Sequence, residues 1–442
     1  KIRDAAPFKE HGVTAAEQLK LLPLRFAYTG DKKSLELARL AYQKVVAVSL
    51  MPDGGIVSSE SLGRAAFNSL HETCDITDWC WSFGYMLLAG GEGQWADLIE
   101  RATFNALPGA VTKDFKQLQY FSSPNQVLAS STACPRIAMT RMSYRAGHET
   151  PCCSGNVNRA MPNYVSRMWL RSEDGFAAAL YGPCEIHTSF KGHPISITES
   201  TDYPFRDILT FTIHLVQPLS FSLHLRIPEW CAQPSLTING QAASLEAVPG
   251  AFARIQREFH DGDILILHLP MRIALDEWFD GRALTIHRGP LVYSLKIPEK
   301  RVEITHDTDA VRRVLIGHNI EGFPAIEFYP DGEWRYGIDP ALKNATDKIQ
   351  VHENPMPDNP FLAETSPVEL TVPLRKLSQW LPDWKPILDP PPANVREFPK
   401  NPAGLPEPAE LQSPDPEQML SFVPLGCTHL RLTSVPIVPP VQ

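Results

Sequence analysis

Four residues in two short pairs have the types and spacing of a metal site. Glu72 and Cys74 form a Glu-x-Cys pair, and the adjacent Cys152 and Cys153 follow about eighty residues downstream. Three thiols and one carboxylate make a complete set of four ligands for zinc, which prefers tetrahedral sulfur, nitrogen and oxygen donors. The sequence therefore predicts a zinc site built from two distant segments.

The spacing within each pair restricts where these residues can lie. On a regular helix, side chains at i and i+2 point roughly 200° apart, and those at i and i+1 roughly 100° apart. Neither pair could reach one ion from a helix interior, so we expect both pairs at helix starts or in turns. The turn-forming residues Ser154, Gly155 and Asn156 directly follow the cysteines.

Composition is that of an ordinary globular protein and excludes several classes. The 442 residues, 43% hydrophobic and 21% charged, suffice for two or three domains with their own cores. A net charge of −9 argues against a nucleic-acid partner. No apolar run approaches the roughly 20 residues that span a bilayer, so we expect no membrane insertion. Eight cysteines are too few for a disulfide scaffold.

Hydrophobic periodicity predicts helices in the first third of the chain. Apolar residues recur at helical spacing over 11–28, 33–50, 74–88 and 94–107, and a last helix is expected from Asn156 to about Trp169. Turn residues such as Gly90-Gly91 divide them. Paired helices separated by long loops are typical of an α/α barrel, whose loops at one end build the site.

The period changes to short, alternating or β-branched runs after Ser172. Such runs, divided by turns such as Asn239-Gly240, favour a β-sandwich. Residues 353–417 are Pro-rich and suit a long surface connection. A final strand pair is expected at 419–424 and 428–432. We therefore predict an α+β multidomain protein: a helical domain with the zinc site over 1–172, a β-sandwich over 173–300, and a second β-region over 301–442.

Several motifs along most of the chain resemble glycoside hydrolase family 127, the zinc-cysteine β-L-arabinofuranosidase type. Glu72-Thr73-Cys74 and the paired cysteines at that separation are its most specific features. The resemblance also rests on further motifs along the chain, namely His11-Gly12-Val13, Thr29-Gly30-Asp31, Gly54-Gly55-Ile56 leading to Glu60, Leu225-Arg226-Ile227-Pro228-Glu229-Trp230, His287-Arg288-Gly289-Pro290-Leu291-Val292-Tyr293 and Pro424-Leu425-Gly426-Cys427.

The resemblance implies a fold and a set of roles. Members look like an (α/α)6 barrel followed by β-sandwich domains, and this chain would hold the C-terminal half of the barrel and lack its N-terminal part. Glu72, Cys74, Cys152 and Cys153 would be the zinc ligands, and Cys152 would also be the nucleophile. The general acid/base would be Glu60, and the sugar contacts would be His11 and Tyr120.

The implied chemistry is sound on general grounds. A free cysteine is mostly protonated at neutral pH, whereas coordination to zinc holds it as a thiolate. Such a thiolate could form a thioglycosidic intermediate with retention of configuration, while a carboxylic acid protonates the leaving oxygen and then deprotonates water. The expected function is therefore a retaining glycoside hydrolase acting on terminal L-arabinofuranosides or a related sugar.

Several alternatives stay open at this point. Glu149, beside the cysteine pair, rivals Glu60 for the acid/base role, and an oxidised Cys152–Cys153 pair would be a vicinal disulfide. The chain could instead be a non-catalytic, zinc-stabilised module that binds carbohydrate or a partner, or a hydrolase with another glycone specificity. Because the helices number about half of those a barrel needs, a separate chain or a homo-oligomer could complete it.

Overall fold

The computed structural model describes residues 2–4, 6–131, 133, 141–148, 150–304, 322–380, 384–385, 398–399 and 404–439. Helices dominate the described residues up to Val165, and strands dominate from Trp169 onward. The chain is therefore a mixed protein with a helical N-terminal region and a β-rich C-terminal region, as the sequence predicts.

The helices of the described region begin and end where local chemistry favours it. Asp31 caps the third helix by accepting a hydrogen bond from Lys33 N at 3.2 Å, and Gly91 ends the fourth in the left-handed conformation. None of them combines the length and apolar composition needed to cross a bilayer. Their bounds are Gly12–Leu19 (α1), Leu21–Thr29 (α2), Lys32–Ser49 (α3), Thr73–Gly90 (α4), Gly93–Arg101 (α5), Leu107–Ala110 (α6), Cys152–Val157 (α7) and Ala160–Val165 (α8).

Two predicted helix boundaries are wrong. The single helix expected over 11–28 is two helices, because the chain breaks at Lys20 and α2 carries Pro23 in its first turn, where a missing N–H is tolerated. The helix expected from Asn156 to Trp169 instead begins at Cys152 and is interrupted after Val157. A π-helical turn, Ala102–Ala106, lies between α5 and α6 inside the helix expected over 94–107.

The strands form three larger sheets and several two-stranded ribbons. Their bounds are Ser58–Ser59 (β1), Ser61–Leu62 (β2), His71–Glu72 (β3), Phe121–Ser122 (β4), Trp169–Arg171 (β5), Gly175–Ala178 (β6), Cys184–Phe190 (β7), His193–Thr201 (β8), Ile208–Leu215 (β9), Leu219–Ile227 (β10), Ser235–Ile238 (β11), Gln241–Ala243 (β12), Ala251–Phe259 (β13), Ile264–His268 (β14), Ile273–Trp278 (β15), Ala283–Arg288 (β16), Leu291–Leu295 (β17), Glu299–Ile304 (β18), Ala325–Pro330 (β19), Tyr336–Gly337 (β20), Gln350–Glu353 (β21), Val368–Lys376 (β22), Trp384–Lys385 (β23), Phe398–Pro399 (β24), Gln418–Pro424 (β25) and Ser434–Pro436 (β26).

The first two large sheets share an aromatic core. One has the order β13-β10-β6-β5 and the other β12-β11-β14-β9-β8-β7. Phe176 and Phe221 of the first sheet contact Phe190 of the second, with ring centroids 6.0 and 6.3 Å apart. Alternation along β8 and β9 buries every second residue, as expected for strands with one face on a core. The division of the chain into domains at 172 and 300 stays a prediction.

The third sheet overturns two expectations for the C-terminal region. Its order is β15-β16-β17-β25-β22-β20, with β21 on β22 and β26 on β16. Residues 353–417 are therefore not simply a surface connection, because β22 is a central strand whose Val368, Leu370, Val372 and Leu374 are buried. The strand expected over 428–432 is absent, and the return to the sheet comes at β26.

The segment after β25 packs back onto the helical region. Lys113 Nζ donates to the carbonyls of Gly426 and Thr428 at 2.7 and 3.3 Å. Arg431 Nη2 donates to Gly109 O at 2.9 Å, and Asn125 Oδ1 accepts from Ser434 N at 2.9 Å. These bonds join helix α6 and the segments before and after β4 to residues about 310 to 320 positions later in the chain.

Candidate metal centre and active site

The first pair of predicted ligands lies at the start of α4. The short strand β3 pairs with β4, so that Glu72 lies opposite Phe121, and Thr73 N donates to Tyr120 O at 2.9 Å. Glu72 is the residue preceding the helix, and Cys74 lies in its first turn; both side chains are 1% exposed. The expectation that this pair lies at a helix start is confirmed.

The second pair lies at the start of α7 and meets the first. Cys152 and Cys153 open that helix, which packs against α4. Cys153 Sγ lies 3.3 Å from Cys74 Sγ, 3.9 Å from Cys152 Sγ and 3.6 Å from Glu72 Oε1. Cys152 Sγ lies 3.5 Å from Glu72 Oε1. All four ligand atoms are within 4.8 Å of one another, and all the thiols are free, so there is no vicinal disulfide.

These separations fit the coordination sphere of a tetrahedral ion. With Zn–S bonds of about 2.3 Å and Zn–O bonds of about 2.1 Å, tetrahedral angles place two sulfurs about 3.8 Å apart and a sulfur and an oxygen about 3.6 Å apart. The S–S distance of 3.9 Å and the S–O distances of 3.5 and 3.6 Å match these values, and the other S–S distance, 3.3 Å between Cys74 and Cys153, is about 0.5 Å shorter. Glu72 Oε2 is buried and has no hydrogen-bond partner among the described residues. Glu72, Cys74, Cys152 and Cys153 could therefore hold a metal ion.

The electrostatics of the cluster favour one thiolate without a cation. Burial raises the pKa of Glu72 to about 7, and the nearby Cys152 adds to this rise. Contacts from Cys153 and Cys74 lower the pKa of Cys152 well below its usual range, with help from Tyr120 and Glu72. The contact with Cys152 raises the pKa of Cys74, whereas burial followed by that contact raises the pKa of Cys153. A bound cation would be needed for all three to be thiolates.

Glu60 approaches the cluster from the β1–β2 turn. Its φ of 73° is left-handed, a conformation that a non-glycine residue rarely adopts and that recurs at functional sites. The main chain is held there because Gly12 N donates to Glu60 O at 3.0 Å. The carboxylate is 39% exposed, so it faces the cavity rather than the core.

Three side chains surround the Glu60 carboxylate. His11 Nε2 lies 3.3 Å from Oε2, while its Nδ1 accepts from Thr14 N at 3.3 Å and caps α1. The Tyr120 hydroxyl donates to Oε1 at 3.2 Å and lies 3.6 Å from Cys152 Sγ, so it stands between the carboxylate and the thiol. Arg141 pairs with Oε1, and its guanidinium lies 4.0 Å from the Tyr120 ring centroid.

The buried carboxyl group of Asp75 lies next to the site. Asp75 lies on α4 beside Cys74 and is fully buried, and burial raises its pKa well above the usual range. It lies so close to α1 that a Cβ added to Gly12 would be 2.4 Å from Asp75 Oδ1. Gly12 therefore allows α1, and with it His11, to approach α4.

The predicted residues share one cavity of about 330 Å³. Its lining includes Glu60, Glu72, Cys74, Cys152, His11 and Tyr120, together with Val13, Arg141, Thr150 and Asn156, which had not been predicted as site residues. Cys153 lies behind this lining and is 1% exposed. Glu149 lies outside the described residues. Arg141 had no sequence signal, because it lies in an irregular segment without periodicity.

Two family profiles match this chain. The profile described as Beta-L-arabinofuranosidase, GH127 catalytic domain, matches residues 4–166. The profile of the GH127 middle domain matches residues 175–271, so the two matches cover more than half of the chain. The chain belongs to glycoside hydrolase family 127. All of the site residues described above fall within the catalytic-domain match.

Relatives of this family 127 chain are distant in sequence. A curated non-reducing end β-L-arabinofuranosidase of Bifidobacterium longum subsp. longum is 22% identical over 285 residues, covering 60% of this chain and 42% of that enzyme. The chain therefore spans less than half the length of this curated relative.

Solved structures share the fold over nearly the whole chain. A GH127 β-L-arabinofuranosidase from Geobacillus stearothermophilus T6 is similar with a TM-score of 0.70 at 20% identity, covering 99% of this chain and 61% of that one. A structure described as a glycoside hydrolase gives 0.72 at 20% identity, covering 99% and 68%. A further GH127 β-arabinofuranosidase gives 0.64 at 16% identity, covering 98% and 60%.

Proposed function

We propose that this chain is the catalytic part of a retaining glycoside hydrolase that cleaves terminal β-L-arabinofuranosides through Cys152. The supporting observation is that the Cys152 thiol, the Glu60 carboxylate and the Tyr120 hydroxyl between them meet in one cavity, next to a complete ligand set. The sugar is proposed from the activity after which these relatives are named, β-L-arabinofuranosidase.

Zinc is the metal that the donor set favours. Three thiolates and one carboxylate in a tetrahedral arrangement are typical of zinc, and Glu72, Cys74, Cys152 and Cys153 would hold it. Bound zinc would keep Cys152 as a thiolate and moderate its charge. The N-terminus of α4 adds positive potential at Cys74, which favours the same charge state.

In the first step, Cys152 Sγ attacks the anomeric carbon while the glycosidic C–O bond breaks. Glu60, in its acid form, gives its proton to the leaving oxygen, and the glycosyl group is left on sulfur. His11, Tyr120 and Arg141 surround Glu60 and the sugar position, so they hold the carboxyl group in place and contact hydroxyls of the glycone. Anchored groups of this kind hold reactants in near-attack geometry.

In the second step, Glu60 takes a proton from water as the water oxygen attacks the same carbon. The C–S bond breaks and the thiolate of Cys152 is restored, so two inversions give net retention. The short distance between the thiol and Tyr120 lets that hydroxyl donate to the sulfur as it leaves.

The proposed architecture around the site is the C-terminal half of an (α/α)6 barrel followed by β-sandwiches. Helices α1–α5 supply about half of the helices that such a barrel needs, and apolar side chains on α2, Leu21 and Tyr28, are 65% and 88% exposed. A further polypeptide segment, in the same polypeptide, in a separate chain or in a second copy, would cover them. Size-exclusion chromatography with light scattering would separate these cases.

The decisive experiment is turnover with matched thiol variants. The holoprotein is assayed for 4-nitrophenol release from 4-nitrophenyl β-L-arabinofuranoside and from matched α-furanosides and pyranosides, with zinc measured by mass spectrometry. We expect turnover of the β-L-arabinofuranoside and a loss of at least about 10⁴-fold in Cys152→Ser with zinc retained, because removing a nucleophile has effects of this order or larger.

Cys80→Ser is the matched control. Its thiol lies on the same helix α4 but contacts Ile99 O, at 4.0 Å, rather than the cluster, so turnover should be unchanged. Unchanged activity in Cys152→Ser would refute the nucleophile. Zinc bound at one equivalent without turnover of any glycoside would instead support a non-catalytic module. Turnover of a different glycoside would show a hydrolase with another glycone specificity.

A further inference from the structure

A second cavity lies where the helical region meets the β-rich region. It has a volume of about 430 Å³ and lies between α3, α5, the turn after β10 and strands β15–β17. None of its lining residues lines the thiol cavity. Its size falls within the range of about 300–1,000 Å³ that small-molecule sites occupy, and interfaces between structural units are a frequent place for them.

The charges in the wall of this cavity are largely paired with one another. Asp97 pairs with Arg226 and accepts from Glu229 N at 3.0 Å. Asp276 lies 3.3 Å from His287 Nε2 and 3.7 Å from Arg101 Nη2. A strongly charged ligand would have to displace these pairs, so the wall favours a neutral molecule.

One donor in the wall has unused hydrogen-bonding capacity. Arg101 Nε donates to Pro52 O at 2.7 Å, but Nη2 is buried and makes no hydrogen bond within the described part of the chain. Asp276 Oδ2 pairs with Nη2 by charge but lies 3.7 Å away, beyond hydrogen-bond distance, whereas most buried donors in folded proteins make a hydrogen bond. A ligand hydroxyl beside Arg101 and Asp276 would accept from the guanidinium and donate to the carboxylate.

The remaining lining matches the apolar faces of a sugar. Trp230 is partly buried in the wall, and Val46, Leu50 and Pro290 add aliphatic surface. Indole rings and aliphatic groups pack against C–H groups, while the polar side chains take up hydroxyls. We propose that this cavity is a second saccharide-binding site, separate from the thiol cavity, that takes a neutral mono- or disaccharide.

This assignment also gives a role to two sequence motifs that the catalytic chemistry leaves unused. Glu229 and Trp230 end the Leu225–Trp230 motif, and His287, Gly289 and Pro290 belong to the His287–Tyr293 motif. The two motifs are separate in sequence, yet both contribute to the lining of the same cavity.

The test observes Trp230 directly and needs no turnover. The holoprotein is labelled with 5-fluorotryptophan, and the ¹⁹F resonance of Trp230 is assigned from Trp230→Phe. Methyl glycosides of L-arabinofuranose, D-xylopyranose and D-glucopyranose are titrated up to 100 mM. We expect a saturable shift of the Trp230 resonance with at least one of them, and no shift of Trp81, which lies under Lys20 and Arg159 outside both cavities.

Two wall variants make the result specific. Arg101→Met and Asp276→Asn should each raise the dissociation constant at least about tenfold, because each removes one side of the proposed oxygen site. Dispersed ¹⁹F resonances show that a variant is folded. If Arg101→Met does not fold, Asp276→Asn alone tests the site, because asparagine has nearly the same shape as aspartate. The proposal would be overturned if no glycoside shifted the Trp230 resonance, or if the dissociation constant were unchanged in the folded variant. It would also be overturned if methylammonium, a cation, shifted the resonance and the neutral glycosides did not.

Discussion

Two buried acidic clusters in this protein neutralise their charge in opposite ways. Between α5 and the β-sheets, Glu100 is fully buried and lies 2.5 Å from Arg226 Nη2, and it also accepts from the Tyr164 and Tyr203 hydroxyls and from Tyr181 N. At the start of α4, Glu72 is equally buried, but within the described ranges its contacts are thiols, and no Lys, Arg or His pairs with it.

The difference shows which cluster is complete on its own. The chain itself supplies the cation for Glu100, namely Arg226, and that cluster joins the helical region to the sheets. The described residues supply none for Glu72, where the negative charge of three thiolates and a carboxylate would exceed what burial permits. The first cluster is therefore structural, whereas the second could hold a cation from outside.

Removing the metal should have the largest effect on stability. Structural zinc sites have apparent binding free energies of about 10–16 kcal/mol, and whatever part is realised adds to the free energy of unfolding. Chelation should lower the melting temperature, and added zinc should restore it, as followed by circular dichroism. If chelation removed all zinc and the melting temperature did not change, the contrast between the Glu72 and Glu100 clusters would be contradicted.

Replacing the internal cation should have the next largest effect. Arg226→Met leaves Asp97 and Glu100 buried without their partner, and breaking a buried pair on one side destabilises by about 3–5 kcal/mol. Urea unfolding measures this change. The metal content should remain at the wild-type level, and loss of metal from this variant would show that the two clusters are not independent.

A third buried carboxyl group, Glu199, should give a smaller, pH-dependent effect. Burial raises its pKa to about 8. Between about pH 4.5 and pH 8 the folded protein keeps this proton and the unfolded chain loses it, so the free energy of unfolding falls as pH rises, by up to about 1.4 kcal/mol per pH unit. Urea unfolding from pH 5 to 8 should show this slope.

Two substitutions check the assignment of that slope. Glu199→Gln should reduce the slope by up to about 1.4 kcal/mol per pH unit, because the amide cannot titrate, whereas Glu258→Gln on the exposed face of β13 should leave it unchanged. An identical slope in wild type and Glu199→Gln would assign the pH dependence to other groups.

Local signals predicted where the four candidate ligands lie and most regular elements. The incompatible spacing of Glu72 with Cys74, and of Cys152 with Cys153, required helix starts, and both pairs lie there. Alternation predicted strands over 194–200, 207–216 and 220–227, and each end of β8, β9 and β10 lies within one residue of these bounds. These features depend on residues that are close in sequence, so their patterns are visible in it.

Long-range contacts were beyond such signals. The pairing of Arg226 with Glu100 and that of Arg141 with Glu60 join residues without any shared pattern. Strand β22 was missed because Pro373 and Pro-rich flanks argue against a central strand, yet burial of its apolar residues outweighs the lost hydrogen bond. At this position, side-chain packing outweighs the low strand propensity of proline.

The bonds from Lys113, Asn125 and Gly109 to residues 426–434 have a consequence for biosynthesis. Domains emerging from the ribosome usually fold in order, N-terminal first. Here Gly109, Lys113 and Asn125 cannot complete these contacts until residue 434 has been translated and released from the exit tunnel. The helical region therefore completes its packing only after nearly the whole of this sequence has been made.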